Sequence, residues 1–82
     1  MTLDDIYAII TRILRETFDD DAIEAHAKLT ASDVDGWDSF AHLRVMMQVE
    51  NAFGVKFSAS QMSSFASVGD LARSIQVKKA SS

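Results

Sequence analysis

Leu3, Ile6, Ile9, Ile10, Ile13, Leu14 and Phe18 recur at intervals of three and four, and that rhythm constrains the chain more than any other feature. At 3.6 residues per turn the set falls on one stripe of a helix, and a stripe of that width has to be buried. No segment shows the two-residue alternation of a half-buried strand, and there is no proline to break a helix interior. The stripe must therefore meet other helices. A chain of 82 residues has room for one core.

Thr2 or Asp4 can cap the first helix, and Asp4 and Asp5 suit the positive end of its dipole. The run Asp19 to Asp21 marks where it gives way to a long loop reaching Asp38, in which Ile23, Ala25, Leu29 and Val34 stand singly without a sustained period. Connections of that length tend to be functional or to hold short helical turns. A second helix reads from Ser39 to about Phe53, closed by Gly54 in the position of a left-handed cap. On it, Val45 or Met46 with Val49 and Phe53 can face the core, while Phe40, Leu43 and Met47 form a second, partly exposed row. An extended link leads to a brief third helix near Ala59 to Phe65. Ser67 and Asp70 then offer a variant capping box for a last helix whose apolar face is Val68, Leu71, Ala72 and Ile75.

The expectation is an all-α, small four-helix bundle: three main helices, one short helix and a long first loop. Ile10, Leu14, Val49, Phe53, Leu71 and Ile75 should line its interior. Residues 1–77 form a single domain, and 78–82 ("KKASS") a frayed polar tail.

Twelve acidic against eight basic side chains leave a net charge of −4, which is repelled by phosphate backbones and anionic membranes. Neither nucleic acid nor membrane is an expected partner. A basic protein surface is. No apolar run approaches the roughly 18 residues of a membrane span. The N-terminal stretch has no basic start or cleavage pattern, and there is no cysteine. A cytoplasmic protein is the plain expectation. So short a chain also leaves little room for a substrate pocket, which favours a protein that is acted upon over an enzyme.

The chemistry concentrates in "DGWDSFAHL", Asp35 to Leu43. A nucleophilic serine would need a base and a group to orient it; His42 and Asp38 are close to Ser39 in sequence, but there is no G-x-S-x-G elbow and no evident oxyanion hole. The stretch superficially resembles the G-D-S-L segment of some esterases, which need a far larger fold. A calcium loop centred on Gly36 would put Ala31 and His42 where carboxylates are required, so it fails at both ends. The surviving reading makes Asp38 an N-cap and Ser39 an exposed first-turn hydroxyl, at a helix end that favours an attached negative group.

"GWDSFAHLRVMMQVENAFGVKFS" resembles the central region of acyl carrier proteins, in which an aspartate-serine-leucine triplet opens the second helix. The resemblance extends over the isoleucine-rich first helix, the long loop and "SVGDLARSI" in the last helix. It implies that Ser39 receives 4′-phosphopantetheine from coenzyme A through a phosphopantetheinyl transferase. It also implies that Asp38 presents the serine to that enzyme, and that the arm's thiol holds acyl groups as thioesters. The further partners it implies are acyl-loading and acyl-processing enzymes, a ligase or acyltransferase and a ketosynthase, visited by a monomer.

Phe40 stands where leucine is commoner. Ala41, His42, Arg44 and Asn51 occupy outward-looking positions where bacterial fatty-acid carriers are acidic, leaving Glu50 as the acidic residue of that helix. With Trp37 before the aspartate-serine pair, these departures resemble discrete carriers of polyketide and related specialised pathways. Phe40, Leu43, Arg44 and Met47 are then the expected partner-binding residues. An aminoacyl or peptidyl carrier, the fatty-acid carrier, and an unmodified docking bundle remain as alternatives. Of the other residues, His42 reads as a solvated or partner-facing histidine. Met46, Met47 and Met62 read as core or docking surface, Asp19 to Asp21 as a solvated loop, and Trp37 as packed at the loop–helix junction.

Overall fold

The computed structural model describes residues 1–81. Helix α1 spans Leu3–Phe18, α2 Ser39–Phe53, α3 Ala59–Ser64 and α4 Val68–Ser81, with one 3-10 turn at Ala31–Asp33. Among the described residues there is no strand, and no helix is long and apolar enough to cross a membrane.

Local chemistry accounts for most of these boundaries. Thr2 and Asp5 form a reciprocal capping box at the start of α1: the Asp5 N–H donates to Thr2 Oγ1 (3.2 Å) and the Thr2 N–H to Asp5 Oδ2 (3.4 Å). The helix ends at Asp19 in the left-handed region, φ 50°, whose N–H donates back to the Arg15 carbonyl. Gly54 closes α2 in the same conformation, at φ 68°. Ser58 and Gln61 form a second reciprocal box before α3. At α4 the variant box is displaced by one residue on its return arm: Asp70 N–H donates to Ser67 Oγ, but the Asp70 carboxylate accepts from Ala66 N–H.

The α1 stripe packs against α2 and α4. Ile6, Ile10, Leu14, Val45, Met46, Val49 and Ile75 are fully buried, and Phe53 and Leu71 nearly so. All six residues expected to line the interior do so. Val45 and Met46 both reach it, although either alone would satisfy the helical stripe.

The long loop is a strap. Its isolated apolar residues Ile23, Ala25, Leu29 and Val34 are each buried. Its backbone is tied to α1 by Ala25 N–H to Thr11 Oγ1 (2.9 Å) and by Arg15 Nε–H to the Ile23 carbonyl (2.7 Å). At its other side Val68 N–H donates to the Leu29 carbonyl (2.8 Å) and Gly69 N–H to the Ala27 carbonyl (3.1 Å). Two of the orphan donors at the start of α4 are thus satisfied by the loop, and the next two by Ser67.

Residues 78–81 differ from the expected frayed tail: they continue α4 as helix. Lys78 lies over the Phe57 ring, 5.0 Å from its centroid, and Lys79 Nζ donates to the Phe53 carbonyl at the end of α2 (3.1 Å). Lysines in a last turn also suit the negative end of the helix dipole. Ser82 of that tail lies outside the described residues.

Candidate functional site

The candidate site forms where the loop turns into α2. Gly36, at φ 86°, provides the left-handed turn, and Asp38 N–H then donates to the Gly36 carbonyl (3.0 Å). Asp38 is extended, and its Oδ1 accepts from Ala41 N–H (2.8 Å) while its carbonyl accepts from His42 N–H (2.9 Å). That is the expected N-cap, and it leaves Ser39 as the first helical residue with its side chain exposed. Ser39 borders an open groove of about 610 Å³ between α2 and α3, whose lining includes Trp37, Leu43, Met62 and Phe65.

His42 has a role the sequence reading did not assign. Its Nδ1 accepts from Trp37 Nε1–H (3.1 Å), and its Nε2 lies 2.7 Å from the Met62 carbonyl. An acceptor at Nδ1 and a carbonyl at Nε2 are both satisfied by the tautomer protonated on Nε2. The imidazole also stacks with the Trp37 ring, centroids 6.0 Å apart, and Trp37 in turn packs against Phe18 at 5.6 Å. His42 therefore joins the loop, α2 and α3 and is not a solvated side chain. Trp37 sits at the loop–helix junction, as expected. The signal for the pair was the five-residue spacing from Trp37 to His42 across a helix start, which no periodic pattern reports.

This arrangement also disposes of a serine–histidine dyad. Both nitrogens of His42 are committed, to an indole donor and a backbone acceptor, so neither is available to take a proton from Ser39. The Asp38 carboxylate is engaged as a cap, not as an orienting group for the histidine.

Along the outer face of α2, Phe40 is 74% exposed, Leu43 54% and Met47 62%. With the exposed Arg44 they form a ridge leading away from Ser39. Ala41 departs from the outward position expected of it: it is buried, 8% exposed, because it lies one residue off that ridge and faces the core. Asn51 is exposed as expected. Glu50 is half-buried and accepts from Phe57 N–H through Oε2 (2.8 Å), so it fastens the link to α3. The short α3 contains no buried residue. It is held by Met62, by the His42 bond and by Phe65, whose ring meets Phe57 edge-on at 5.6 Å.

Residues 4–75 match the family described as phosphopantetheine attachment site. The solution structure of holo acyl carrier protein from Geobacter metallireducens is similar at a TM-score of 0.79 and 34% sequence identity, over 96% of this chain and 86% of that one. No curated protein matches the chain significantly.

Proposed function

The chain belongs to the acyl carrier protein family, a family of carriers with covalently attached 4′-phosphopantetheine, and on that premise we propose that Ser39 bears the arm. The observation that carries the proposal is the exposed Ser39 hydroxyl in the first turn of α2, beside a groove with a mostly apolar lining. The site fits such a group on chemical grounds. Its hydroxyl is reachable by a second protein, the helix start favours a phosphodiester, and the chain's lack of cysteine leaves a reactive thiol to the arm. When attached, the arm supplies a thiol that tethers acyl groups as thioesters.

The remaining work belongs to the chain. Asp38 sets the start of α2 through its bond to Ala41 N–H, and so fixes the direction in which Ser39 is presented to a phosphopantetheinyl transferase. Phe40, Leu43 and Met47 offer apolar anchors to the biosynthetic enzymes that act on the cargo, with Arg44 among them. From Ser39 to Met47 α2 carries no Asp or Glu, and Glu50, further along, is half-buried against Phe57 N–H, so the exposed part of α2 next to Ser39 presents the cation Arg44. A partner selected for an acidic helix would meet Arg44 instead, and a misplaced charge disfavours that encounter. This supports a carrier for a polyketide or related specialised pathway, loaded by a ligase or acyltransferase and serving a ketosynthase. The aminoacyl or peptidyl carrier shares the serine and the bundle, and loading assays separate the two.

Intact-protein mass after incubation with coenzyme A and a broad-range transferase tests the attachment. The protein should gain one phosphopantetheine, and Ser39→Ala should remain helical and gain nothing. Modification mapped to any serine from Ser58 to Ser67 would contradict the assignment.

A further inference from the structure

Two cavities meet behind Ser39. The outer one is the groove of about 610 Å³ beside Ser39 and Leu43. The inner one, about 70 Å³, reaches Leu29, Val68 and Leu71 beneath the loop and the start of α4. Ala31, Trp37, His42 and Phe65 line both, so these side chains are the wall between them. His42 is the part of that wall held from two sides, by Trp37 Nε1–H and by the Met62 carbonyl.

We infer that His42 is a positioning residue for the cargo: by holding this wall shut it keeps an acyl group tethered at Ser39, an extended alkyl chain included, in the outer groove and out of the inner cavity. The inference rests on Ser39 being the attachment point. Its physical basis is the asymmetry between what an alkyl chain gains inside and what the wall loses. The inner cavity offers space for about two waters at roughly 30 Å³ each, too little for an extended chain unless the wall moves. Swinging His42 aside breaks both its hydrogen bonds and leaves an indole N–H and a carbonyl facing hydrocarbon without partners. A short run of methylenes against Leu29, Val68 and Leu71 does not offset two such losses. Short and extended acyl groups alike therefore stay in the outer groove.

The test uses the full chain, charged on its arm with acetyl or octanoyl from the corresponding coenzyme A thioester. Intact mass and peptide mapping come first. If no acylated arm is found on Ser39, the carrier reading itself fails and this inference falls with it. With the arm in place, the methyl resonances of Leu29, Val68 and Leu71 are compared between the two cargoes. They should coincide in the unaltered chain and separate by more than a linewidth in His42→Ala, where octanoyl should also raise the thermal midpoint relative to acetyl. If His42→Ala loses its helicity, Trp37→Phe keeps an aromatic ring, removes the N–H donor and should show the same separation in smaller measure. Octanoyl-dependent shifts of those methyls in the unaltered chain would overturn the inference. Their absence in a folded, octanoylated variant would overturn it equally.

Discussion

Gly69 lies in the first turn of α4, where helix propensity by itself favours alanine by up to about 1 kcal/mol. The packing opposes that preference. A Cβ on Gly69 would stand 2.6 Å from the Ala27 carbonyl oxygen, 3.0 Å from its Cα and 3.2 Å from its carbonyl carbon. These are backbone atoms, which cannot rotate aside as a side chain would. Relief requires the loop to move off α4, and that strains the bonds Gly69 N–H to Ala27 and Val68 N–H to Leu29. Overpacking costs about 1–3 kcal/mol, and each buried donor left unmade a further 1–3 kcal/mol or so. After subtracting the propensity gain, Gly69→Ala should destabilise the protein by about 2–4 kcal/mol. For a domain of this size that lowers the Tm by roughly 8–32 °C. Urea unfolding with a helical CD readout measures the difference, and hydrogen exchange at Val68 and Gly69 should report the loosened strap. Ala27→Gly should not rescue the variant, because the conflicting atoms are not in the Ala27 side chain. A Tm equal to or above that of the unaltered chain would refute the argument and leave propensity as the deciding effect.

Phe53→Ala empties a site only 2% exposed and should cost about 3–5 kcal/mol in urea unfolding. Near-normal stability would mean the buried face of α2 is misassigned. Asp38→Ala removes the α2 cap and should cost about 0.5–2 kcal/mol. Asp38→Asn should keep most of that stability, so if its rate with the transferase falls as far as that of Asp38→Ala, charge rather than capping presents Ser39. Arg44→Glu should speed the encounter of the acylated protein with a fatty-acid ketosynthase, most strongly at low salt. Rates unchanged across a salt series would remove charge at this position from partner choice.

Helix boundaries were legible because the groups that set them are neighbours in sequence. Thr2 meets Asp5, Ser58 meets Gln61, and Gly54 ends α2 through its own backbone conformation. The same locality put Ser39 in the first turn after Asp38. Periodicity separated the buried Val45, Met46, Val49 and Phe53 from the exposed Phe40, Leu43 and Met47. Where a residue's role is set by a partner far along the chain, those rules fell silent. The outward position that the family comparison implies for Ala41 fails because residue type does not reveal which side of a doubly apolar helix meets the core. The lysines of the last turn look like a tail in the sequence because Phe53 and Phe57, which hold them, are more than twenty residues away.

By itself, then, the sequence determined an all-helical chain with its helices delimited, a serine at the start of α2 and an apolar row beside it. All of these follow from short-range spacing and capping, which act within one turn. Only the tertiary structure decided that His42 joins Trp37 to Met62, that Glu50 is spent on Phe57 N–H, and that the loop is strapped to α4 across Gly69. Each of these unites groups from separate elements, and a hydrogen bond's partner is chosen by which surfaces the packed helices bring within 3 Å or so, a geometry no local pattern encodes.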